Sequence, residues 1–162
     1  MAIHRLLIDD FVTVDYSLIA IHSSLEDHRL AYFINRDLSI LLEKSPNDIG
    51  VTIREGESCF SRFTFEDESN DSIWNLIQNK NRVISAQANT GSSLFDDTGM
   101  SVSTSVFLMP DLKKVDYILK IENMGPSFSA EAAVEKLLKI PQVATAYVVD
   151  HTKLKSKNNL IF

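Results

Sequence analysis

The apolar positions of this chain change period several times, and each change marks an element. Asp15–His22 reads DYSLIAIH: Tyr16, Leu18 and Ala20 share one side, and Ser17, Ile19 and Ile21 the other. That is the pattern of a strand covered on both faces. In SSLEDHRLAYFINRDL, Leu30, Phe33, Ile34 and Leu38 repeat at helical spacing. Ser24 ahead of Leu25, Glu26 and Asp27 offers an N-cap with acids in the first turn, so a helix is expected over Leu25–Leu38. Ile40–Glu43 should then be extended, and SPNDIG is a turn cluster.

Ser58–Glu66 alternates, with Cys59, Ser61, Phe63 and Phe65 opposite Phe60, Arg62 and Thr64. Ile73–Gln78 alternates again, and the acidic stretch Asp67–Asp71 between them predicts a β-hairpin. Leu6–Ile8 is expected as a short first strand. Residues 79–105 are rich in Ser, Asn, Thr and Asp and carry Gly91 and Gly99. They predict a loop, flexible or partly ordered, with Ser101–Phe107 as a strand inside it.

The last third alternates strand and helix periods. Val115–Ile121 predicts a strand, NMGPS a turn, and Ser129 the cap of a helix of about three turns with Ala130, Ala133, Val134, Leu137 and Leu138 on its apolar side. Pro141 stops that helix, and Val143–Val149 is a β-branched strand. The sum is one α+β domain over 1–162: an antiparallel or mixed sheet, two main helices packed on one face and a C-terminal βαβ unit. A ferredoxin-like core with an inserted hairpin is one concrete version.

Composition narrows the setting. A 162-residue chain with 44% hydrophobic and 23% charged residues can bury a core without staples. Cys59 is the only cysteine, which excludes an intramolecular disulfide and fits a reducing compartment. MAIHRLLIDDF lacks the long apolar run of a signal peptide, and no stretch approaches the roughly 20 apolar residues of a membrane span. A soluble cytoplasmic protein is expected. The net charge of −6 weighs against nucleic acid as a partner, because counterion release needs a surplus of Lys and Arg.

FLMPDLKKVDYILKI resembles the signature of the IPExxxVDY family, bacterial proteins of similar length. Pro110, Val115, Asp116 and Tyr117 match as they stand, while Met109 replaces the family's Ile and Asp111 its Glu. DYSLIAI followed by EDHRLAYFINRDL, then IPQVATAYVVD and LKSKNNLIF, extend the resemblance in order over nearly the whole chain outside the middle loop. The resemblance implies a length but no activity and no cofactor.

No residue pattern rises above an ordinary structural role. Asp111 and Asp116 could form a carboxylate pair, but Pro110 and Asp111 also suit a turn before a strand. His4, His22, His28 and His151 lack metal-ligand spacing. Ser23 and Ser24 beside His22 have no G-x-S-x-G elbow around them, and Cys59 reads as a buried small hydrophobe. The acidic run Glu66, Asp67, Glu68 and Asp71 lacks the alternating pattern of a calcium loop. The closing HTKLKSKNNLIF stands apart. Lys153, Lys155 and Lys157 would line one side of an extended chain, and Leu160, Ile161 and Phe162 should be buried against the sheet or a partner. The reading is a non-enzymatic interaction module that binds another protein or a second copy through a sheet edge, with no metal or cofactor. The alternative is a ligand-sensing domain of ACT-like type, since KIPQVATAYVV resembles half of such a domain. An enzyme using Asp111, Asp116 and a histidine comes third.

Overall fold

A computed structural model describes residues 15–54, 56–86 and 101–162. The expected strand Leu6–Ile8 and both Gly91 and Gly99 lie outside the described residues. Alternation that buries both sides of a strand builds the centre of the molecule. β1 (Tyr16–Ser23) pairs antiparallel with β10 (Val143–Val149) on one side and β9 (Tyr117–Glu122) on the other. β6 (Ser72–Gln78), β5 (Arg62–Asp67) and β2 (Glu43–Lys44) complete a six-stranded antiparallel sheet in the order β10-β1-β9-β6-β5-β2.

The first four strands of that order, with α1 (Asp27–Leu38) and α2 (Ala130–Leu137), reproduce a ferredoxin-like core. β9 and β10 run in the same direction, as the βαβ reading requires, but β1 lies between them. The unit is therefore split rather than adjacent. Both helices pack over one face, where Leu30, Ile34, Ala133 and Leu137 meet Ile19, Ile21, Trp74, Leu76, Leu119 and Ile121.

The other face is covered by two ribbons. β3 (Ile49–Ile53) pairs with β4 (Gly56–Phe60), and β7 (Lys80–Ala86) with β8 (Ser101–Phe107). Phe60, Val106, Leu108, Met109 and Leu160 close on Leu18, Ala20, Ile77 and Ile118 there. The result is three layers: helices, sheet, ribbons.

Several expectations change in detail. The run Ser58–Glu66 is two strands broken at Ser61: β4 serves a ribbon and β5 the main sheet. Cys59 is exposed on β4, not buried. Residues 80–86, expected within the loop over 79–105, are strand instead, and residues 87–100 of that stretch lie outside the described residues. The N-cap of α1 is Glu26, without a side-chain bond, and not Ser24; Ser23 Oγ instead accepts the Leu25 N–H. Ser129 does cap α2, accepting from the Ala132 N–H at 3.2 Å. That helix has only eight residues, which brings Leu137 inward and leaves Leu138 exposed. No described helix is long and apolar enough to cross a membrane.

Candidate interaction surface

The 108–117 segment must drop from β8 across the end of the sheet and enter β9, and its backbone groups need partners on the way. Asn79, fully buried between β6 and β7, supplies them. Its Nδ2 donates to the Leu112 and Val115 carbonyls at 2.8 and 2.9 Å, and its Oδ1 accepts the Met109 N–H at 2.8 Å. Its own backbone donates to Asp116 and accepts from Leu108. Sequence reasoning placed Asn79 in a loop. The only signal that could have found it was an Asn following a strand with no turn partner of its own.

The signature residues surround this hub. Pro110 opens a 3-10 turn, Pro110–Leu112, and is exposed. Val115 is buried. Asp116 accepts the Ser23 N–H at 3.0 Å, tying the turn to the end of β1. The Tyr117 hydroxyl donates to the Leu25 carbonyl at 2.7 Å. Burial, with the carboxylates of Asp27, Asp116 and Glu26 nearby, pushes its pKa up to about 12. Asp111 faces the other way and accepts the Lys155 N–H, the Ser156 N–H and the Ser156 hydroxyl at 2.9, 2.8 and 2.7 Å. The Ser156 hydroxyl first, then the two amides, hold its carboxyl below the usual range. Asp111 and Asp116 are thus each committed to backbone N–H groups, an arrangement of braces and not of an acid–base pair.

Asp111 is one of two clamps on the closing segment. The other is Lys120, buried on β9, whose ammonium donates to the Leu160 carbonyl at 2.9 Å and pairs with Glu122. Leu160 is buried, Ile161 is exposed, and the Phe162 ring lies 4.6 Å from the Arg62 guanidinium carbon. The segment docks in cis, and only Leu160 is fully buried. Lys153, Lys155 and Lys157 do not form one extended row, because His151–Lys153 and Lys157–Leu160 are 3-10 turns.

The described histidines are separated: His22 stacks on Tyr147, His28 lies beside Glu26 and Asp27, and His151 packs on Tyr16. Among the described residues no three His, Cys, Asp or Glu side chains gather as metal ligands would. A cleft of about 230 Å³ opens between Trp74, Met124 and Phe128, with Asp67 and Asn70 at its rim. It is smaller than most small-molecule sites. Asp67 is already engaged with Asn70 Nδ2 and the Ser69 N–H.

The two edges of the main sheet differ. β2 closes one edge with only two residues, Glu43 and Lys44. β10 closes the other with seven, VATAYVV, and no described strand pairs with its outer side. Tyr147 and Val148 are 42% and 41% exposed there. Beside Tyr147, the 110–115 turn leaves a groove of about 340 Å³ bordered by Lys113 and Lys114. In comparisons with family models, curated proteins and solved structures, nothing matches this chain.

Proposed function

We propose that this chain is a non-enzymatic interaction module of the reducing cytoplasm, a member of the IPExxxVDY family, that takes an extended partner strand along the outer side of β10. One observation carries the reading: an edge strand without a charge or proline, whose residues Thr145–Val149 keep an unbroken register with β1, the bulge falling at Ala144 near its start. Sheets normally guard such a stretch with Lys, Pro or a very short strand, as β2 does at the opposite side. An added strand would gain main-chain hydrogen bonds from β10, while its alternate side chains meet Tyr147 and the Lys113–Lys114 groove. Asp111 and Asp116, the carboxylates that the enzyme reading would use, each accept backbone amides.

Val148→Lys tests this by placing a charge on the edge without touching the core clusters. Complexes assembled by the native chain should be lost in the variant. Capture of the same complexes by both proteins, at equal fold stability, would sink the reading.

A second reading, a ligand-sensing domain of ACT-like type, draws on the Trp74–Phe128 cleft. A thermal-shift screen of amino acids and nucleotides addresses it, since a ligand bound only to the native state raises its melting temperature. Flat melting temperatures at saturating ligand would remove it.

A further inference from the structure

Resting on the ligand-sensing reading and independent of the β10 edge, we infer that the Trp74–Phe128 cleft is a site for a small primary alkylammonium, its alkyl chain against the rings and its ammonium on Asp67. The walls are apolar. Trp74 and Phe128 meet edge to face, 5.6 Å apart at 83°, and Ile121 and Met124 complete the lining. The one polar atom of the indole is already used, because Nε1 donates to the Ser72 hydroxyl at 3.2 Å. Trp74 therefore offers the cleft only carbon, which favours a hydrocarbon chain there. The volume of about 230 Å³ equals on the order of eight waters, room for a ligand of about five to eight non-hydrogen atoms.

The rim supplies charge of one sign. Asp67 Oδ1 accepts the Ser69 N–H at 3.0 Å, and Oδ2 accepts from the Asn70 side chain at 2.6 Å. A carboxylate has about four acceptor positions, so each oxygen keeps one for a ligand. The Asn70 side chain first, with the Ser69 amide, holds the Asp67 carboxyl below its usual range, so it is ionised at neutral pH. Among the described residues no Lys, Arg or His pairs with it. The segments that form the cleft, 63–79 and 121–129, contain no Lys or Arg, while Glu66, Glu68 and Asp71 stand on the same hairpin as Asp67. An anion is repelled here. A neutral alcohol leaves the carboxylate without a counter-charge, whereas an ammonium answers it with a charge-assisted hydrogen bond. The net charge of −6 draws cations in the same sense.

Fluorescence titration of the purified full chain tests the assignment, because Trp74 is the only tryptophan and lines the cleft. With n-butylammonium as the probe, at constant ionic strength, the emission should change and saturate with a Kd of about 1 mM or tighter. n-Butanol and butyrate should bind at least about tenfold more weakly, a comparison made on the native chain. Asp67→Asn should weaken n-butylammonium by at least about tenfold. Glu68→Gln removes an exposed acid of the same hairpin and should change the affinity less than about twofold. Equal urea midpoints show that both variants are folded.

No saturable change with n-butylammonium overturns the site; the ligand-sensing reading then stands or falls on the thermal-shift screen, and strand addition is untouched. n-Butanol or butyrate binding as tightly as n-butylammonium overturns the cation and leaves ligand sensing in place. Equal losses in Asp67→Asn and Glu68→Gln overturn the contact with Asp67, because a diffuse field would then account for the affinity.

Discussion

Replacing Asn79 by alanine removes one buried amide that serves three backbone groups of the 108–117 turn. The Leu112 carbonyl keeps a second partner, because the Val115 N–H donates to it at 3.0 Å. The Met109 N–H and the Val115 carbonyl lose theirs, and both residues are buried. An orphaned buried polar group costs about 1–3 kcal/mol, so two should cost roughly 2–6 kcal/mol. For a chain of this length that is a fall in melting temperature on the order of 10 °C. Urea unfolding followed by the fluorescence of Trp74, the single and buried tryptophan, reads the change directly. Asn79→Asp is the control: it keeps an acceptor for Met109 but turns a carboxylate toward two carbonyl oxygens, so it should be at least as unstable. A loss below about 1 kcal/mol for Asn79→Ala would refute the hub, because it would mean that water replaces the amide at no cost.

Three further outcomes follow from the same geometry. With the Tyr117 pKa raised to about 12, its contribution to stability is fully present below pH 10 and is lost as pH rises toward 12. Ultraviolet titration should find a late tyrosinate step at about pH 12, and Tyr117→Phe should abolish it. The Asp111 carboxyl is depressed, so its hold on Lys155 and Ser156 persists above the ordinary Asp pKa and is lost as pH falls through its lower folded value. The Ser156 amide proton should report a midpoint below about 3.9, and a midpoint at or above that value would count against the clamp. Leu160→Ala should destabilise the chain by about 2–3 kcal/mol through lost burial, measured by the same urea unfolding; an unchanged midpoint would mean that the closing segment does not dock in solution.

Where burial follows a regular period, the sequence was easy to read. β8 and β10 begin and end at the expected residues, and Ile77 opposes Trp74 and Leu76 across β6 as expected; in β10 the bulge at Ala144 breaks the alternation, so Val143 and Val149 do not share the face that their spacing predicts. The break at Ser61 was hidden because alternation continues through it: Phe60 and Phe63 point to opposite layers whether or not the strand is continuous. Leu137 and Leu138 are neighbours about 100° apart on a helix of barely two turns, so one stripe could not bury both. The signature residues were found, but their roles were not. Asp111 works on backbone groups 44 and 45 residues away, and Asn79 on groups 30 to 36 residues away, separations that leave no local pattern.

The position of β1 has a consequence for how the chain emerges from the ribosome. It is the first described strand to be synthesised, yet both its neighbours, β9 and β10, come from the final third. Until Tyr117–Val149 has been made, Leu18, Ile19, Ala20 and Ile21 have no sheet to enter, and both flanks of the nascent strand can capture stray segments. The sheet can close only after β9 and β10, in the last third of the described residues, have left the exit tunnel, so its assembly does not follow the N-to-C order of translation.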